Sequence, residues 1–409
     1  MTRRSTLLLA TIAAAFIVVN GINAIRKGGD FTVFLDAGQR CLRGVPMYAE
    51  SGVGGGVVGP PFQGVFFAPL ALLGQVDSRL ARLVWYGLNL GALAFAVWAW
   101  TAALAPMAGR AVRWQGWLPT PLGPVVLALL AVVFPLQTNF EHQNMNPVLL
   151  ALTGAAALAL ARGRDTAGGV AIGVATALKV FPGLLLVYLL IRKRWKASVA
   201  GALTAGALTL LPVLQYGPEG MASEIRDWLA ISAGGGWPIR GNNQSLFAML
   251  ARAFRPDGAF DTGHLLAADH PGIHLAWLAI ASALAALTLV VSSPWRVRSE
   301  RAAPTGIAAV LGLAVVLSPI AWDHYWVLMF PAFLLLTLAR EGHPWTRWVF
   351  WPALILTSGF SRATVGVHGL SVARALSVFT WAGLLLLAAT LILQDSLARR
   401  VRPDEGLNT

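Results

Sequence analysis

The chain has 409 residues, of which 56% are hydrophobic and 12% are charged, and its mean hydropathy is +0.65. Such a chain is too apolar and too poorly charged for a soluble globular protein, so the composition predicts an all-α polytopic membrane protein. The formal net charge of +13 does not indicate a nucleic-acid partner, because the arginines and lysines cap the apolar runs instead of gathering in one domain. The single cysteine, Cys41, excludes an intramolecular disulfide.

The first apolar run, LLLATIAAAFIVVNGINAI, predicts a retained transmembrane helix. It follows Arg3 and Arg4, approaches the length of about 20 residues that spans a bilayer, and is not followed by a clean small-x-small cleavage site. A cleaved signal peptide is the alternative. Both interpretations place 26–61 on the extracytoplasmic side, because the basic end of a membrane segment stays in the cytoplasm.

The remaining apolar runs predict one integral-membrane domain, 1–409, without a separate soluble part. If every run crossed the membrane, the basic C-terminus would lie outside. One run is therefore expected to be re-entrant, and 62–76 is the candidate because it is short and carries Pro69. About 12 transmembrane helices remain. The polar regions are then 26–61 and 217–272, both extracytoplasmic, and a cytoplasmic tail at 396–409.

Lys179 lies in the middle of an apolar run between two basic breaks, RGRD at 162–165 and RKRWK at 192–196. A single long helix would leave its ammonium near the bilayer centre at a cost of about 3 kcal/mol. Two short helices folded back at Pro182–Gly183 would lift Lys179 to the outer surface and keep both basic breaks inside. We favour this hairpin. A merely structural Lys179 is harder to explain, because a lysine snorkels only near a surface.

The unusual polar residues fall on one side of this map. They are Asp30, Asp36, Glu141, His142, Gln143, Asn144, Asn146, Lys179, Arg240, Asn242, Asn243, Gln244, Asp323, His324 and Tyr325. A cavity with a carboxylate, a lysine, an arginine and a histidine could bind an anionic headgroup and remove a proton from a second substrate. Structural alternatives stay open: Asp30 as a helix N-cap, and Asp323 with His324 as an ion pair that ends a helix. Asp36 is expected to be a solvated side chain.

Several short motifs occur in order along the chain. They are DFTVF from Asp30, Ala37-Gly38, Gly44, Tyr48, Pro60-Pro61, Pro69-Leu70, QNMN from Gln143, the segment Gly168–Pro182, Arg194-Trp195, NQSL from Asn243, and His324-Tyr325. Together they resemble glycosyltransferase family 87, the polyprenyl-phosphate-mannose-dependent membrane mannosyltransferases of bacteria. The resemblance covers roughly residues 5 to 340. Two departures are Phe34, where the family often has tyrosine, and EHQNMN in place of a more usual Gly-Gln-x-Asn.

The resemblance implies a C-type membrane glycosyltransferase fold and a donor in which one phosphate joins a sugar to a polyprenol. It implies that Asp30 is the catalytic carboxylate, by its position relative to Gly44 and Tyr48. In an inverting displacement Asp30 would accept the proton of the acceptor hydroxyl while cations stabilise the leaving polyprenyl phosphate. The phosphate-binding candidates are Lys179, Arg240 and His324. The sugar-binding or acceptor-binding candidates are Gln143, Asn144, Asn146, Asn243, Gln244, Asp323 and Tyr325.

The expected function is transfer of a hexose, with mannose favoured, from a polyprenyl-phosphate sugar to a lipid or glycan acceptor outside the bacterial plasma membrane. Glucosyl or arabinofuranosyl transfer is the enzymatic alternative. A transporter or flippase of lipid-linked sugars is the alternative from another class, because buried charge and broken helices are also typical of transporters. The donor, the acceptor and membrane lipids are the expected partners. We expect no cofactor and no metal, although Asp30, Glu141 and Asp323 could together bind a divalent cation.

Overall fold

The computed structural model describes residues 3–49, 56–109, 113–115, 118–120, 122–233, 237–254, 264–265, 270–297 and 303–400. The predicted tail at 396–409 lies outside these ranges from residue 401, and so do parts of the predicted regions 26–61 and 217–272. Within the described ranges the chain is almost entirely helical, so the all-α prediction is confirmed.

In chain order the helices are α1 (Arg3–Lys27), α2 (Phe31–Arg43), α3 (Phe62–Val76), α4 (Ser78–Leu104), α5 (Gly123–Ala131), α6 (Val133–His142), α7 (Asn146–Ala161), α8 (Asp165–Leu178), α9 (Leu184–Ile191), α10 (Trp195–Leu210), α11 (Val213–Ala233), α12 (Leu246–Phe254), α13 (Pro271–Val291), α14 (Ala303–Leu317), α15 (Phe330–Ala339), α16 (Thr346–Leu354), α17 (Arg362–Ala375) and α18 (Val378–Arg400). Short 3-10 turns precede α9 at Phe181–Gly183 and α15 at Asp323–Met329. Two antiparallel strand pairs join β1 (Arg113–Gln115) to β2 (Leu118–Thr120) and β3 (Trp237–Pro238) to β4 (His264–Leu265).

Four helices in the described part of the chain are long and apolar enough to cross a membrane: Ala10–Lys27, Ser78–Leu104, Pro271–Val291 and Val378–Leu397. The pairs α5–α6 and α10–α11, bent by 59° and 91°, raise this number to six if each pair forms one span. Other apolar helices are only 10–17 residues long. The chain is thus a membrane protein, and the count of about 12 transmembrane helices stays a prediction.

The basic breaks of the sequence meet at one end of the bundle, called the basic end and defined by Arg192, Arg194 and Asp165. Arg194 Nη1 donates to Asp165 Oδ1 over 3.1 Å. Arg192 Nη1 donates to the backbone carbonyls of Ser292, over 3.4 Å, and Val297. The guanidinium thus satisfies one carbonyl at the end of α13 and a second carbonyl five residues further along the chain. Breaks that are far apart in sequence therefore share one end.

Lys179 lies at the tip of a helical hairpin that points away from the basic end. The backbone is extended at Lys179, turns through Phe181–Gly183 and continues as α9. A Cβ on Gly183 would lie 3.1 Å from the Thr176 methyl group, so the second arm folds back along the first. Both arms end at the basic end. The predicted hairpin is confirmed, and a single long helix through Lys179 is wrong.

Helices α2 and α3 leave one end of the bundle and return to it. Arg82 Nη1, near the start of α4, donates to the Ile25 carbonyl near the end of α1 over 2.9 Å. The chain therefore enters α4 at the end where it left α1. Between these points α2 and α3 are antiparallel, since Gly64 near the start of α3 faces Cys41, whereas Gly74 near its end faces the earlier residue Leu35. The pair makes no net passage along the bundle, and the expectation that 62–76 is re-entrant stays a prediction.

An aromatic cluster fixes the start of α2 against α3 and α4. Phe31 stacks on Trp85 with ring centroids 5.9 Å apart, and Phe34 stacks on Phe67 at 4.7 Å. Phe31, Phe67 and Trp85 are fully buried. Such pairs contribute about 0.5–1.5 kcal/mol each beyond the area they bury. Helix α2 ends at Gly44, whose left-handed backbone closes the last turn. This packing holds Asp30, the residue before Phe31, in place.

Candidate active site

Asp30 occupies the N-cap position of α2, at the end of the bundle opposite the basic end. Gly28 and Gly29 precede it with positive φ values of 73° and 48°, which turn the chain sharply between α1 and α2. The Asp30 N–H donates to the His142 carbonyl at the end of α6 over 2.8 Å. Among the described residues, the Asp30 side chain accepts no capping hydrogen bond from α2. The carboxylate is therefore directed to other partners.

Three side chains surround the Asp30 carboxylate. Asn144 Nδ2 donates to Oδ2 over 2.7 Å, and His324 Nε2 lies 3.6 Å from the same oxygen. His142 Nδ1 lies 3.7 Å from the other oxygen, Oδ1. The side chains of Asp30 and His142 are 32% and 46% exposed, whereas that of His324 is 3% exposed. Oδ2 therefore faces the protein interior, and Oδ1 faces the open side.

Asp30 is ionised at neutral pH. Burial by itself raises the pKa of this carboxyl, but His142, His324 and the Asn144 amide lower it by more, and the pKa lies well below its ordinary value. A carboxylate with a low pKa is a weak base toward a free alcohol. It accepts an alcohol proton only while the alcohol oxygen gains positive charge by bonding to an electrophilic carbon.

Lys179 is buried among neutral partners. Its Nζ donates to Asn144 Oδ1 over 2.9 Å and to Asn146 Oδ1 over 3.2 Å, and it lies 3.8 Å from the centroid of the Tyr325 ring. Burial of an ammonium is unfavourable unless opposite charge compensates it, and amide oxygens and a ring supply only partial charge. An anion bound here would complete the compensation. Asn144 contacts both Lys179 and Asp30, so it fixes the distance between them.

His324 forms the buried wall beside Asp30. Both of its ring nitrogens are buried and accept or donate no hydrogen bond within the described part of the chain. Asp323 lies next to it, with Oδ1 4.0 Å from His324 Nδ1 and Oδ2 paired with the Arg374 guanidinium. Asn146 Nδ2 donates to the His324 carbonyl over 3.2 Å. A buried polar atom without a partner is unfavourable in a folded protein and often marks the position of a ligand.

Four of the predicted site residues have other surroundings. Asn243 and Gln244 use their side-chain amides to bond backbone groups, so they join the segment before α12 to 319–321, to the end of α17 and to the start of α18. Gln143 Nε2 donates to the Ala24 carbonyl over 2.6 Å. Arg240 is exposed. The structure thus groups Asp30 with six predicted residues: Asn144, Asn146, Lys179, Asp323, His324 and Tyr325.

The sequence-based site set does not contain His142 or Arg374. His142 is one of the unusual polar residues of the sequence, but nothing in the sequence pairs it with Asp30, because their contact depends on the turn at Gly29. Arg374 lies in an otherwise apolar run, 370–393. An arginine in such a run is itself a signal for a buried partner, and here that partner is Asp323.

An ionised carboxylate, a buried lysine and a histidine at one end of a helical membrane bundle are typical of the active site of a membrane enzyme. The profile of Glycosyltransferase family 87 matches residues 58–319. The chain belongs to glycosyltransferase family 87, and it is a glycosyltransferase. The predicted resemblance is confirmed.

Two mannosyltransferases are similar to most of this chain, and an arabinofuranosyltransferase is similar to less than half of it. A polyprenol-phosphate-mannose-dependent alpha-(1-2)-phosphatidylinositol pentamannoside mannosyltransferase of Mycobacterium tuberculosis is 30% identical over 368 residues, which cover 85% of this chain and 76% of that protein. A polyprenol-phosphate-mannose-dependent alpha-(1-2)-phosphatidylinositol mannoside mannosyltransferase of Mycolicibacterium smegmatis is 27% identical over 328 residues, which cover 74% of this chain and 68% of that protein. An alpha-(1->3)-arabinofuranosyltransferase of Corynebacterium glutamicum is 27% identical over 177 residues, which cover 43% of this chain and 40% of that protein.

Gly29 is expected to be necessary for the position of Asp30. A Cβ at Gly29 would lie 2.5 Å from His142 Cα, and the positive φ disfavours any side chain there. Gly29→Ala should therefore push Asp30 away from His142 and lower kcat about tenfold, since misplacement by about 1 Å weakens catalysis. Steady-state assays of the purified variants measure this. Gly91→Ala is the control, because α4 has open space at Gly91. Equal activity of the two variants would contradict the expectation.

Proposed function

We propose that this glycosyltransferase transfers mannose from a polyprenyl-phosphate donor to a lipid or glycan acceptor, with inversion and with Asp30 as the general base. One observation carries the proposal: Asn144 holds an ionised carboxylate and a buried ammonium, Lys179, at a single site. The carboxylate suits the acceptor hydroxyl, and the ammonium suits a departing phosphate. The two mycobacterial relatives, named for polyprenol-phosphate-mannose, support the choice of donor.

In the proposed step the acceptor oxygen attacks the anomeric carbon, and the bond from this carbon to the phosphate oxygen breaks. The electron pair of that bond leaves with the polyprenyl phosphate, whose negative charge is stabilised by Lys179 and by an N–H of His324. The acceptor proton passes to Asp30. Because the pKa of Asp30 lies below its ordinary value, this transfer occurs late, when the new carbon–oxygen bond is largely formed, and Asp30 then loses the proton to water.

We further propose a C-type fold with about 12 transmembrane helices in the bacterial plasma membrane, with Asp30 on the extracytoplasmic side. The clustering of Arg192 and Arg194 at the basic end supports this orientation, since arginine and lysine are retained on the cytoplasmic side. A donor carried by a membrane lipid also agrees with a site at the end of the bundle.

Arabinofuranosyl transfer is a second candidate. The observation that favours it is the corynebacterial arabinofuranosyltransferase, which is 27% identical over 177 residues. Mannose transfer ranks first because the two mycobacterial mannosyltransferases align with 85% and 74% of this chain, against 43% for the arabinofuranosyltransferase.

A donor comparison tests the proposal. Purified full-length protein in detergent is incubated with phosphatidylinositol mannosides and with polyprenyl phosphates that carry radiolabelled mannose, glucose or arabinofuranose. GDP-mannose is the control donor, because it lacks the lipid. We expect label transfer from polyprenyl-phosphate mannose and none from GDP-mannose. Transfer from the arabinofuranose donor alone would support the second candidate. No transfer from any donor would contradict both and favour a flippase.

A further inference from the structure

We infer that His142 binds a hydroxyl of the acceptor sugar adjacent to the hydroxyl that is glycosylated. The inference rests on the proposed function, and it assigns an acceptor-recognition role to a residue that differs from the usual Gly-Gln-x-Asn pattern at this position. The Asp30 carboxylate divides the site into two sides, one for each of its oxygens.

The two oxygens of Asp30 face different parts of the site. Oδ2 accepts from Asn144, which also accepts from Lys179, so this oxygen lies on the side of the buried ammonium. In an inverting displacement the leaving group and the attacking oxygen lie on opposite faces of the anomeric carbon. If the phosphate lies beside Lys179, the acceptor must approach the other oxygen. The acceptor hydroxyl therefore donates to Oδ1.

His142 is the side chain next to Oδ1 on this approach. Its ring is 46% exposed, and its Nδ1 lies 3.7 Å from Oδ1, which is too long for a hydrogen bond. The ring is nevertheless well positioned. It packs against His324 with centroids 5.3 Å apart, and the carbonyl of the same residue accepts from the Asp30 N–H. His142 therefore offers an accessible, oriented polar edge beside the base.

The surroundings of His142 suit a sugar. Lys27 Nζ lies 3.5 Å from Glu141 Oε2, with side chains 54% and 25% exposed, and Gln137 Nε2 donates to Glu141 Oε1 over 3.4 Å. Glu141 precedes His142 on α6 and is an electrostatic neighbour of its ring, so polar donors and acceptors lie near the histidine. Neighbouring hydroxyls of a pyranose can reach Asp30 and His142 together. A simple alcohol can engage only one of them.

The test compares acceptors that differ by one hydroxyl. Octyl α-D-mannoside and its 3-deoxy analogue are the probes, because the mycobacterial relatives are named for alpha-(1-2) linkages and the 3-hydroxyl is then the free neighbour. The variant is His142→Phe, which keeps the ring and its packing on His324 but has no polar edge. We expect His142→Phe to raise the acceptor KM about tenfold while the donor KM stays unchanged, as for loss of one hydrogen bond.

The 3-deoxy acceptor distinguishes loss of the contact with the 3-hydroxyl from a general disturbance of the site by the substitution. Wild type should lose about tenfold in kcat/KM on this acceptor, and His142→Phe should lose no more, because the interaction is already absent. His142→Gln places an amide near the position of the imidazole edge and should recover part of the acceptor affinity. His368→Phe, at an exposed histidine of α17, is the matched control.

Two outcomes would overturn the inference. One is an acceptor KM of His142→Phe equal to that of wild type; another is an equal loss for this variant on both acceptors. In each case an active wild type and an inactive Asp30→Asn would leave the proposed function intact. A wild type that transfers no sugar from polyprenyl-phosphate mannose would instead contradict the proposed function itself.

Discussion

Asp30→Asn is expected to lower kcat about a thousandfold, because a positioned general base contributes roughly 10²–10⁴ in rate. Asparagine has nearly the same shape, so it removes the proton acceptor without opening a cavity. The donor KM should change little, since the proposed donor contacts lie on the Lys179 side. The pKa of Asp30 lies below its ordinary value, so the carboxylate is already ionised at mildly acidic pH. The loss should therefore be similar at every pH from about 5 to 8.

Asp36→Asn is the matched control for this experiment. Asp36 lies on α2, its side chain is 47% exposed, and it accepts from Arg40 over 2.8 Å as an i,i+4 pair. An exposed pair of this kind contributes only about 0.3–0.5 kcal/mol to stability. Activity of Asp36→Asn should be close to that of wild type, in agreement with the expectation of a solvated side chain. Activity of Asp30→Asn within tenfold of this control would refute the base assignment.

The sequence could predict the parts of the site that depend on strong local energies. A lysine in an apolar run is unfavourable enough to favour a break at Pro182–Gly183, and the structure has this hairpin. The position of Asp30 after two glycines and before an amphipathic helix is equally local. Parity favoured a re-entrant 62–76, because counting every apolar run as a crossing would leave the basic C-terminus outside, and this stays a prediction.

The sequence could not separate amides that contact the proposed catalytic groups from amides that satisfy the backbone. Asn144 and Asn243 both occur in short polar motifs, yet Asn144 bridges Asp30 and Lys179, whereas Asn243 bonds the carbonyls of Pro238 and Pro319. The difference depends on which backbone groups lack partners once the helices have packed. Periodicity and composition carry no information about this.

The sequence also could not predict which residues that are far apart in the chain contact each other. His142 contacts Asp30 because Gly29 lets two loops approach within a distance that a Cβ would prevent. The Arg374 guanidinium pairs with the Asp323 carboxylate at the end of the bundle that carries Asp30. Neither contact leaves a periodic pattern, so both required the three-dimensional packing.

Lys179→Met is expected to lower kcat roughly a hundredfold, the effect of removing about 3 kcal/mol of transition-state stabilisation. Methionine has a similar length and no charge. The negative charge on the leaving phosphate oxygen increases as the glycosidic bond breaks, so an ammonium beside that oxygen stabilises the transition state more than the bound donor. The loss should therefore fall mainly on kcat, with a smaller rise in the donor KM. Lys196→Met, at an exposed lysine near the basic end, should be nearly as active as wild type.

Thermal unfolding of Lys179→Met distinguishes a functional lysine from a structural one. In the absence of donor, the Lys179 ammonium is buried, and its direct contacts among the described residues are the neutral groups of Asn144, Asn146 and Tyr325, with the Asp30 carboxylate beyond Asn144. Methionine removes the desolvation of this charge, although the two amide oxygens lose a donor. We expect the Tm of Lys179→Met to be equal to or higher than that of wild type while activity falls. A lower Tm with activity lost in proportion would instead assign Lys179 to the stability of the hairpin, and retained activity would exclude it from the phosphate site.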